Sequence, residues 1–540
     1  MGKEKKVAQE ARRAGKREGS GFGRDSEHQN LHLSIGKTFQ GKKVKTPNFG
    51  VKEIPSGTLK GFEGVSVSVE VSLIKGIPSF TIVGLGGKAV QESRERVKTA
   101  LSNIGFKFPP AKIVVNLSPA DVEKEGSHFD LPIALGLLFY NSSQSYPFQL
   151  REFLVLGELG LDGQLRDTPA IFPIVLALKP QRVIAPLESG RKLSQIPGIE
   201  LYLFRNLREI EQWKPTTPPP ATLSYDYLKI NGKKYYYLTE YPLDFSEVKG
   251  QRDGKEGALL AAAGFHNLLI EGSPGIGKSM IIHRLRYILP PMEIGEILEV
   301  EKLRSLEGVE PTFKPLRPFR APHHSATPSA IFGGGSRGAK IGEIALAHRG
   351  VLFFDELPYF SRQILENLRL PLQEHRMLIS RVNSKVEYKT DILFAGAMNP
   401  CPCGNLYSQS HDCRCTEREI RRYRGRISQP VLDRIELYIR LGDVEGKFPV
   451  SSQQLHQLVL KVFEMNRGKL NSRLPENYQF HYTEEFYHLF QRAVEKFGLS
   501  YRSQFNLIKL AKTAANLRGR VKIEREDILW VIRFRAPTVF

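Results

Sequence analysis

The residues Gly272-Ser273-Pro274-Gly275-Ile276-Gly277-Lys278-Ser279 fit the spacing G-x-x-x-x-G-K-[ST]. Glycines at these positions let backbone N–H groups wrap phosphates, and a helix opening at Lys278 favours their negative charge. Lys278 is placed to reach the β- and γ-phosphates of ATP, and Ser279 to ligate Mg²⁺. About 75 residues on, Val351-Leu352-Phe353-Phe354 runs into Asp355-Glu356. An apolar strand that ends in two acids suits Asp355 as a second Mg²⁺ ligand and Glu356 as the group that polarises an attacking water. The adjacent Glu points to hydrolysis rather than nucleotide storage. Asn399 ends a third apolar stretch, Ile392–Ala397, where its amide could orient that water; a plain turn before Pro400 is the other reading. Arg434 and Arg502 are ordinary surface salt-bridge residues by default. In a ring of ATPase subunits they would become an arginine finger acting on a neighbour and a sensor arginine, each stabilising charge on the transferred phosphoryl group.

A second constellation follows Asn399 directly. All four cysteines fall within fifteen residues, as Cys401-x-Cys403 and Cys413-x-Cys415. Two C-x-C pairs suit a closed tetrahedral Zn²⁺ site of the structural kind, with His411 as a possible substitute ligand. Unliganded thiols and a redox pair are the alternatives. Arg418, Arg421, Arg422, Arg424 and Arg426 follow at once, so a braced loop could present them to DNA.

These groups need a scaffold, and the chain alternates strand and helix patterns to supply one. Asn267–Ile270 reads as the strand feeding the phosphate loop and Met280–Tyr287 as the helix leaving it. Val351–Phe354 is apolar throughout, as a parallel strand buried on both faces is. Upstream, Val65–Leu73, Ser79–Val83 and Ile113–Leu117 read as strands. Lys88–Ile104 and Leu131–Tyr140 read as helices, and Gly157–Arg166 as a hairpin. Pro215, Pro218, Pro219 and Pro220 mark a stiff linker, and Asn231-Gly232 a hairpin turn. The last hundred residues read as four helices, Ser451–Arg467, Thr483–Phe497, Ser503–Leu517 and Arg525–Arg533. The resulting division is a basic arm over 1–55, a first α/β domain over 56–214, and a linker with hairpin over 215–242. A nucleotide-binding α/β domain then covers 243–446 and a helical domain 447–540.

The chain has 540 residues, with 78 Lys+Arg against 57 Asp+Glu, a formal charge of +21. A charge that size points to a polyanionic partner. Twelve Lys/Arg and five Asp/Glu lie in the first 50 residues, so +7 sits there. This arm is too poor in bulky apolar groups to fold alone and is expected to be disordered; a merely solubilising role is equally open. Four cysteines make no disulfide framework, no apolar run reaches the ~18 residues of a membrane span, and no secretory leader is evident. Secreted and membrane-embedded classes are excluded on these grounds, and a cytoplasmic location is expected.

The strings Arg317-Pro318-Phe319-Arg320-Ala321-Pro322-His323-His324, Gly333-Gly334-Gly335, Gly342-Glu343-Ile344 and Met398-Asn399-Pro400-Cys401-Pro402-Cys403-Gly404 go beyond single motifs. With them the chain resembles the ComM (YifB-type) branch of magnesium-chelatase-like AAA+ ATPases, from about Gly61 to Arg535. The resemblance implies an α/β fold class with a Lon-protease-like N-terminal domain, an AAA+ P-loop α/β domain with a helix-2 insert (Ala321–Ile341), and a C-terminal helical lid. It further implies a homo-hexameric ring that hydrolyses ATP and moves on single-stranded or branched DNA, performing branch migration during natural transformation. The alternative it leaves is a chelatase-like remodelling ATPase acting on a protein partner. A hairpin over Ser380–Lys389 would face the ring channel; Arg381, Lys385 and Lys389 have even spacing and could share a face toward phosphates. A solvated hairpin is the plain alternative. Proteolysis is not expected: Ser127 falls one place before Lon's nucleophile position, which His128 fills, and Phe172 lies near that of its lysine. Arg349 departs from the family's small polar residue and adds a charge expected near a subunit interface.

Overall fold

The computed structural model describes residues 51–140, 149–334, 341–380, 385–408, 411–442 and 448–535; the side chains of 379, 380, 385 and 386 are also outside this set. The first sheet contains β1 (Lys52–Lys60), β2 (Glu63–Ile74), β3 (Ser79–Val83) and β4 (Lys112–Ser118), in the order β1-β2-β4-β3. Strand β1 pairs along its whole length with β2, so the arm boundary at residue 55 cuts through it. The sequence pattern hid this strand because Gly57 and Pro55 break its apolar alternation. Helices α1 (Lys88–Asn103) and α2 (Asp130–Leu138) cover this sheet. A second, parallel sheet follows: β5 (Phe153–Val155), β6 (Arg182–Pro186) and β7 (Glu200–Phe204), with α3 (Ile171–Leu178) beside it.

No lysine amine contacts Ser127 among the described residues; its hydroxyl donates to the Glu158 carboxylate. His128 is fully buried and donates from Nε2 to the Gly57 carbonyl at 3.0 Å. Phe172 is fully buried too, edge-on to Phe313 of the following region with ring centres 5.6 Å apart. It belongs to the apolar seam that joins this region to the nucleotide-binding one.

Burial holds His128, His375 and His456 neutral and lowers each from the ordinary 6.5 to about 4. The unfolded chain therefore takes up protons first as pH falls. These histidines contribute stability fully above pH ~6.5 and lose it progressively toward pH ~4. Thermal denaturation should show a melting temperature several degrees lower at pH 5 than at pH 7.5, and an unchanged one would contradict the assignment.

Strands β8 (Asp226–Ile230) and β9 (Lys233–Tyr237) form the expected hairpin around Asn231 and Gly232, whose φ values of +50° and +81° match a type I′ turn. Beyond it stands a five-stranded sheet: β10 (Leu268–Glu271), β11 (Phe319–Arg320), β12 (Val351–Phe354), β15 (Leu393–Met398) and β16 (Leu437–Arg440). A separate two-stranded ribbon, β13 (Arg376–Ser380) and β14 (Lys385–Lys389), interrupts it in sequence. The sheet order is β11-β12-β15-β10-β16, and every neighbouring pair is parallel. Every residue of β10, β12 and β15 is buried, as their apolar runs predict. The order sets β10, β12 and β15 side by side, and ligands of such sheets gather at the carboxyl ends of the strands.

Helix α4 (Arg252–Gly264) leads into β10, α5 (Lys278–Leu285) leaves the phosphate loop, and α6 (Ile294–Leu306) follows. Of the segment Ala321–Ile341, the described part holds one short helix, Pro328–Phe332; residues 335–340 lie outside the described set. Helices α7 (Glu417–Arg424), α8 (Ser452–Met465), α9 (Glu484–Phe497), α10 (Tyr501–Leu517) and α11 (Arg525–Val531) complete the chain. Arg502 lies inside α10, which starts two residues before the expected Ser503. The last four helices share one apolar core with α4 and the central sheet, through Leu455, Phe486, Leu510 and Val531. No described helix is long and apolar enough to cross a membrane.

Candidate nucleotide site and cysteine cluster

Strand β10 delivers the chain to Gly272, and the loop then turns through Gly275 and Gly277 at φ +77° and +102°. Both conformations are ones that side chains disfavour, and a Cβ at either glycine would meet nothing within 4 Å. The N–H groups of Gly275, Gly277, Lys278 and Ser279 find no acceptor among the described residues. That is the donor set a phosphate chain requires.

Lys278 Nζ donates to the carbonyls of Gly272 and Ser273 at 2.7 and 2.9 Å, and to Asn399 Oδ1 at 3.0 Å. Burial pushes its amine below the ordinary lysine value, opposed by Asp355, Glu271 and Glu356. Ser279 Oγ donates to Asp355 Oδ2 at 2.9 Å, while Asp355 Oδ1 accepts the Glu356 N–H at 2.9 Å. Three strand ends thus bring together Lys278, Ser279, Asp355, Glu356 and Asn399, residues picked out one at a time from the sequence. The donors fit ATP with Mg²⁺: Ser279 and Asp355 would hold the cation, and the loop N–H groups and Lys278 the phosphates.

Glu356 has a contact the sequence did not signal. Its Oε2 lies 3.3 Å from His324 Nδ1, and His323 and Tyr359 flank that ring at centre distances of 4.1 and 6.1 Å. Glu356 itself sits at φ +52°, a left-handed backbone that turns the chain sharply after Asp355.

Arg434 and Arg502 are neighbours elsewhere. Arg434 donates to the Pro430 carbonyl at 2.6 Å and to Gln373 Oε1. Burial, and then the charge of Arg502, lower its guanidinium from the ordinary value. Among the described residues, neither arginine bonds to Lys278, Ser279, Asp355, Glu356 or Asn399.

On the β13–β14 ribbon, Arg381 lies outside the described residues, and Lys385 opens β14 with its side chain outside them. Lys389 is exposed and sits 3.4 Å from Glu299. Glu387 shares its strand face and lies 3.5 Å from Arg376, so an acid interrupts the expected basic ladder. Arg349 also departs from expectation. Its guanidinium is enclosed by Glu296, Glu299 and Asp391 of the same chain at 2.9–3.2 Å, and Arg473 joins Asp391 at 2.7 Å. The charge expected near an interface is spent inside the chain.

The four cysteines converge. Their Sγ atoms all lie within 4.8 Å of one another, with Cys401–Cys403 at 3.4 Å and Cys413 at 3.7 Å from each of these two. Tetrahedral Zn–S bonds of ~2.3 Å require S···S separations of about 3.8 Å, whereas a disulfide needs ~2.05 Å. Backbone N–H groups of Asn405 and Arg414 pull the Cys403 thiol down to about 6, toward the thiolate form that binds metal. Burial pushes Cys401 the other way, up to about 12. The set fits a zinc ion held by four thiolates. Of the five arginines beyond it, Arg418, Arg421 and Arg422 are exposed, but Arg424 is buried and Arg426 donates to the Pro358 carbonyl at 3.1 Å. The expected row of five DNA-facing arginines is therefore reduced.

Comparison with known proteins matches the region of the site to a family model. The model described as magnesium chelatase, subunit ChlI covers residues 244–447, and its C-terminal counterpart covers 449–535. The competence protein ComM of Haemophilus influenzae is 37% identical over 497 residues, 88% of this chain and 96% of that protein. The chain belongs to the ComM (YifB-type) family of magnesium-chelatase-like AAA+ proteins. YifB of Escherichia coli, described as uncharacterized, is 36% identical over 88% of this chain and 95% of its own length. A magnesium-chelatase subunit ChlI homolog of Methanocaldococcus jannaschii is 20% identical over 56% of this chain. Family membership suggests ATPase activity and implies ATP and Mg²⁺ at the site described. A further model, described as subunit ChlI of Mg-chelatase, covers residues 69–189. The N-terminal region thus does not by itself separate a ComM-type protein from a chelatase subunit.

Proposed function

We propose that this chain is an ATP-driven motor that works as a homo-hexameric ring on single-stranded or branched DNA, branch-migrating incoming strands during natural transformation. The observation that carries this reading is the likeness to the competence protein, 96% of which is matched, joined to the meeting of Lys278, Ser279, Asp355, Glu356 and Asn399 at three strand ends. In this reading the N-terminal region is a Lon-protease-like collar without proteolytic activity and the C-terminal helices are a lid. Lys278 and the loop N–H groups bind the phosphates. Glu356 accepts a proton from the attacking water that Asn399 orients. Ser279 and Asp355 would hold Mg²⁺, which when bound would supply positive charge against the phosphates. His324 holds the Glu356 carboxylate until substrate contacts replace that pairing. Arg434 serves as an arginine finger on the site of the adjoining subunit, and Arg502 as a sensor arginine that stabilises charge on the transferred phosphoryl group.

The ChlI descriptions support a second reading, a remodelling ATPase that acts on a protein partner. The net +21 charge favours the first. Phosphate contacts release counterions, so DNA binding weakens steeply with salt. ATP turnover should rise several-fold on adding single-stranded or branched DNA, and the DNA concentration needed for half of that rise should increase at least tenfold between ~50 and ~200 mM salt. Turnover unmoved by any DNA form would favour the remodelling reading.

A further inference from the structure

The cysteine loop is not an appendage of the sheet but a bracket on the phosphate loop. It leaves β15 at Asn399-Pro400, so its first ligand, buried Cys401, lies two residues from the Asn that bonds Lys278. Gly404, at φ +83°, lies so close to the phosphate loop that a Cβ there would sit 2.5 Å from the Pro274 ring. Tyr407, between the two C-x-C pairs, accepts from Arg424 Nη2 at 2.8 Å and carries the Arg440 guanidinium 4.7 Å over its ring. The return path is equally committed. After Cys415, Thr416 caps α7 in a reciprocal box with Glu419, which sets where the helix starts. Arg424, near the helix end, then donates to the Pro400 carbonyl at 3.1 Å and to Glu271 Oε1 at 2.6 Å.

Glu271 is the last residue before the phosphate loop and is fully buried. Its second oxygen accepts from Tyr438 at 2.5 Å and from Arg440 at 3.3 Å. A buried carboxylate is held in place by such partners, and withdrawing one leaves charge unpaired. Arg424 is also the link between that carboxylate and the cysteine loop, at Pro400 and Tyr407. The loop therefore meets the nucleotide site at three points: Asn399 beside Lys278, Gly404 on Pro274, and Tyr407 through Arg424 on Glu271.

We propose that a zinc ion bound by Cys401, Cys403, Cys413 and Cys415 positions the phosphate loop, so that nucleotide affinity depends on metal occupancy. The proposal rests on the nucleotide-site assignment but not on DNA as partner. Binding one divalent cation as four thiolates releases the protons the thiols still carry and leaves a net charge of −2 at the cluster. The metal fixes both ends of a fifteen-residue segment that would otherwise pay conformational entropy to stay seated on Pro274 and Arg424.

The test uses the full chain and a fluorescent ATP analogue without DNA. The purified protein is expected to hold one zinc per chain. Stripping it with a chelator, followed by excess Mg²⁺, should raise the dissociation constant for the analogue at least tenfold, and zinc but not Mg²⁺ alone should restore it. Tyr407→Phe removes only the hydroxyl that joins loop to Arg424. It should retain one zinc per chain yet bind the analogue several-fold more weakly. That second variant keeps the idea testable if metal-free protein unfolds, which circular dichroism would reveal. Absence of bound zinc, or affinities within twofold of wild type in both the metal-free folded protein and Tyr407→Phe, would overturn it. Loss of all nucleotide binding by zinc-loaded wild type would instead refute the nucleotide site itself.

Discussion

Replacing Glu356 by Gln is expected to lower ATP turnover by roughly 10²–10⁴-fold while nucleotide affinity stays close to wild type. The substitution keeps the side-chain shape and the backbone N–H that Asp355 Oδ1 accepts, so the cation-binding pair Ser279–Asp355 is undisturbed. What it removes is the carboxylate charge needed to take a proton from water. Phosphate release and equilibrium binding of a fluorescent nucleotide, measured on the same preparation, separate the two effects. Turnover within twofold of wild type would remove Glu356 from the mechanism.

The second large effect concerns an arginine that touches nothing in its own site. Arg434 is held by Pro430 and Gln373 and stands near the like charge of Arg502. Two guanidinium groups so arranged gain when an anion comes between them, and the nucleotide residues of the same chain lie elsewhere. The transferred phosphoryl group of an adjoining subunit would supply that anion. Arg434→Ala should therefore cut turnover by about 10³-fold, at the lower end for a missing arginine finger, with ATP binding retained. Mixing Arg434→Ala subunits with Lys278→Ala subunits should recover measurable turnover, because each supplies the group the other lacks. Two variants that remain inactive when mixed, in rings shown to contain both, would refute action across an interface.

The grouping of the candidate nucleotide-site residues was legible because their motifs are short and local. The loop from Gly272 to Ser279 folds on itself, and the apolar runs before Asp355 and Asn399 read as buried strands; that their ends meet is set by the parallel sheet order. Contacts across long separations were not legible. Glu271 is 167 residues from Tyr438, and nothing in either neighbourhood announces that a buried carboxylate joins them. The pairing of His324 with Glu356 depends on how β11 lies beside β12, which no local pattern fixes. Even spacing placed Lys385 and Lys389 on one face, but it placed Glu387 there too. Arg349 was read as surplus charge because Glu296, Glu299 and Asp391 come from two other segments. For the cysteines, spacing was enough to predict convergence, while the seat of their loop on Pro274 emerged only from the fold.

In the proposed function, ATP hydrolysis at this site moves DNA. A synthetic three- or four-strand junction with one labelled arm tests it most directly, incubated with the full chain, Mg²⁺ and ATP. Branch-migrated product is expected with ATP, none without nucleotide, and none with Glu356→Gln. ATP consumed at an undiminished rate while the junction stays in place would contradict it.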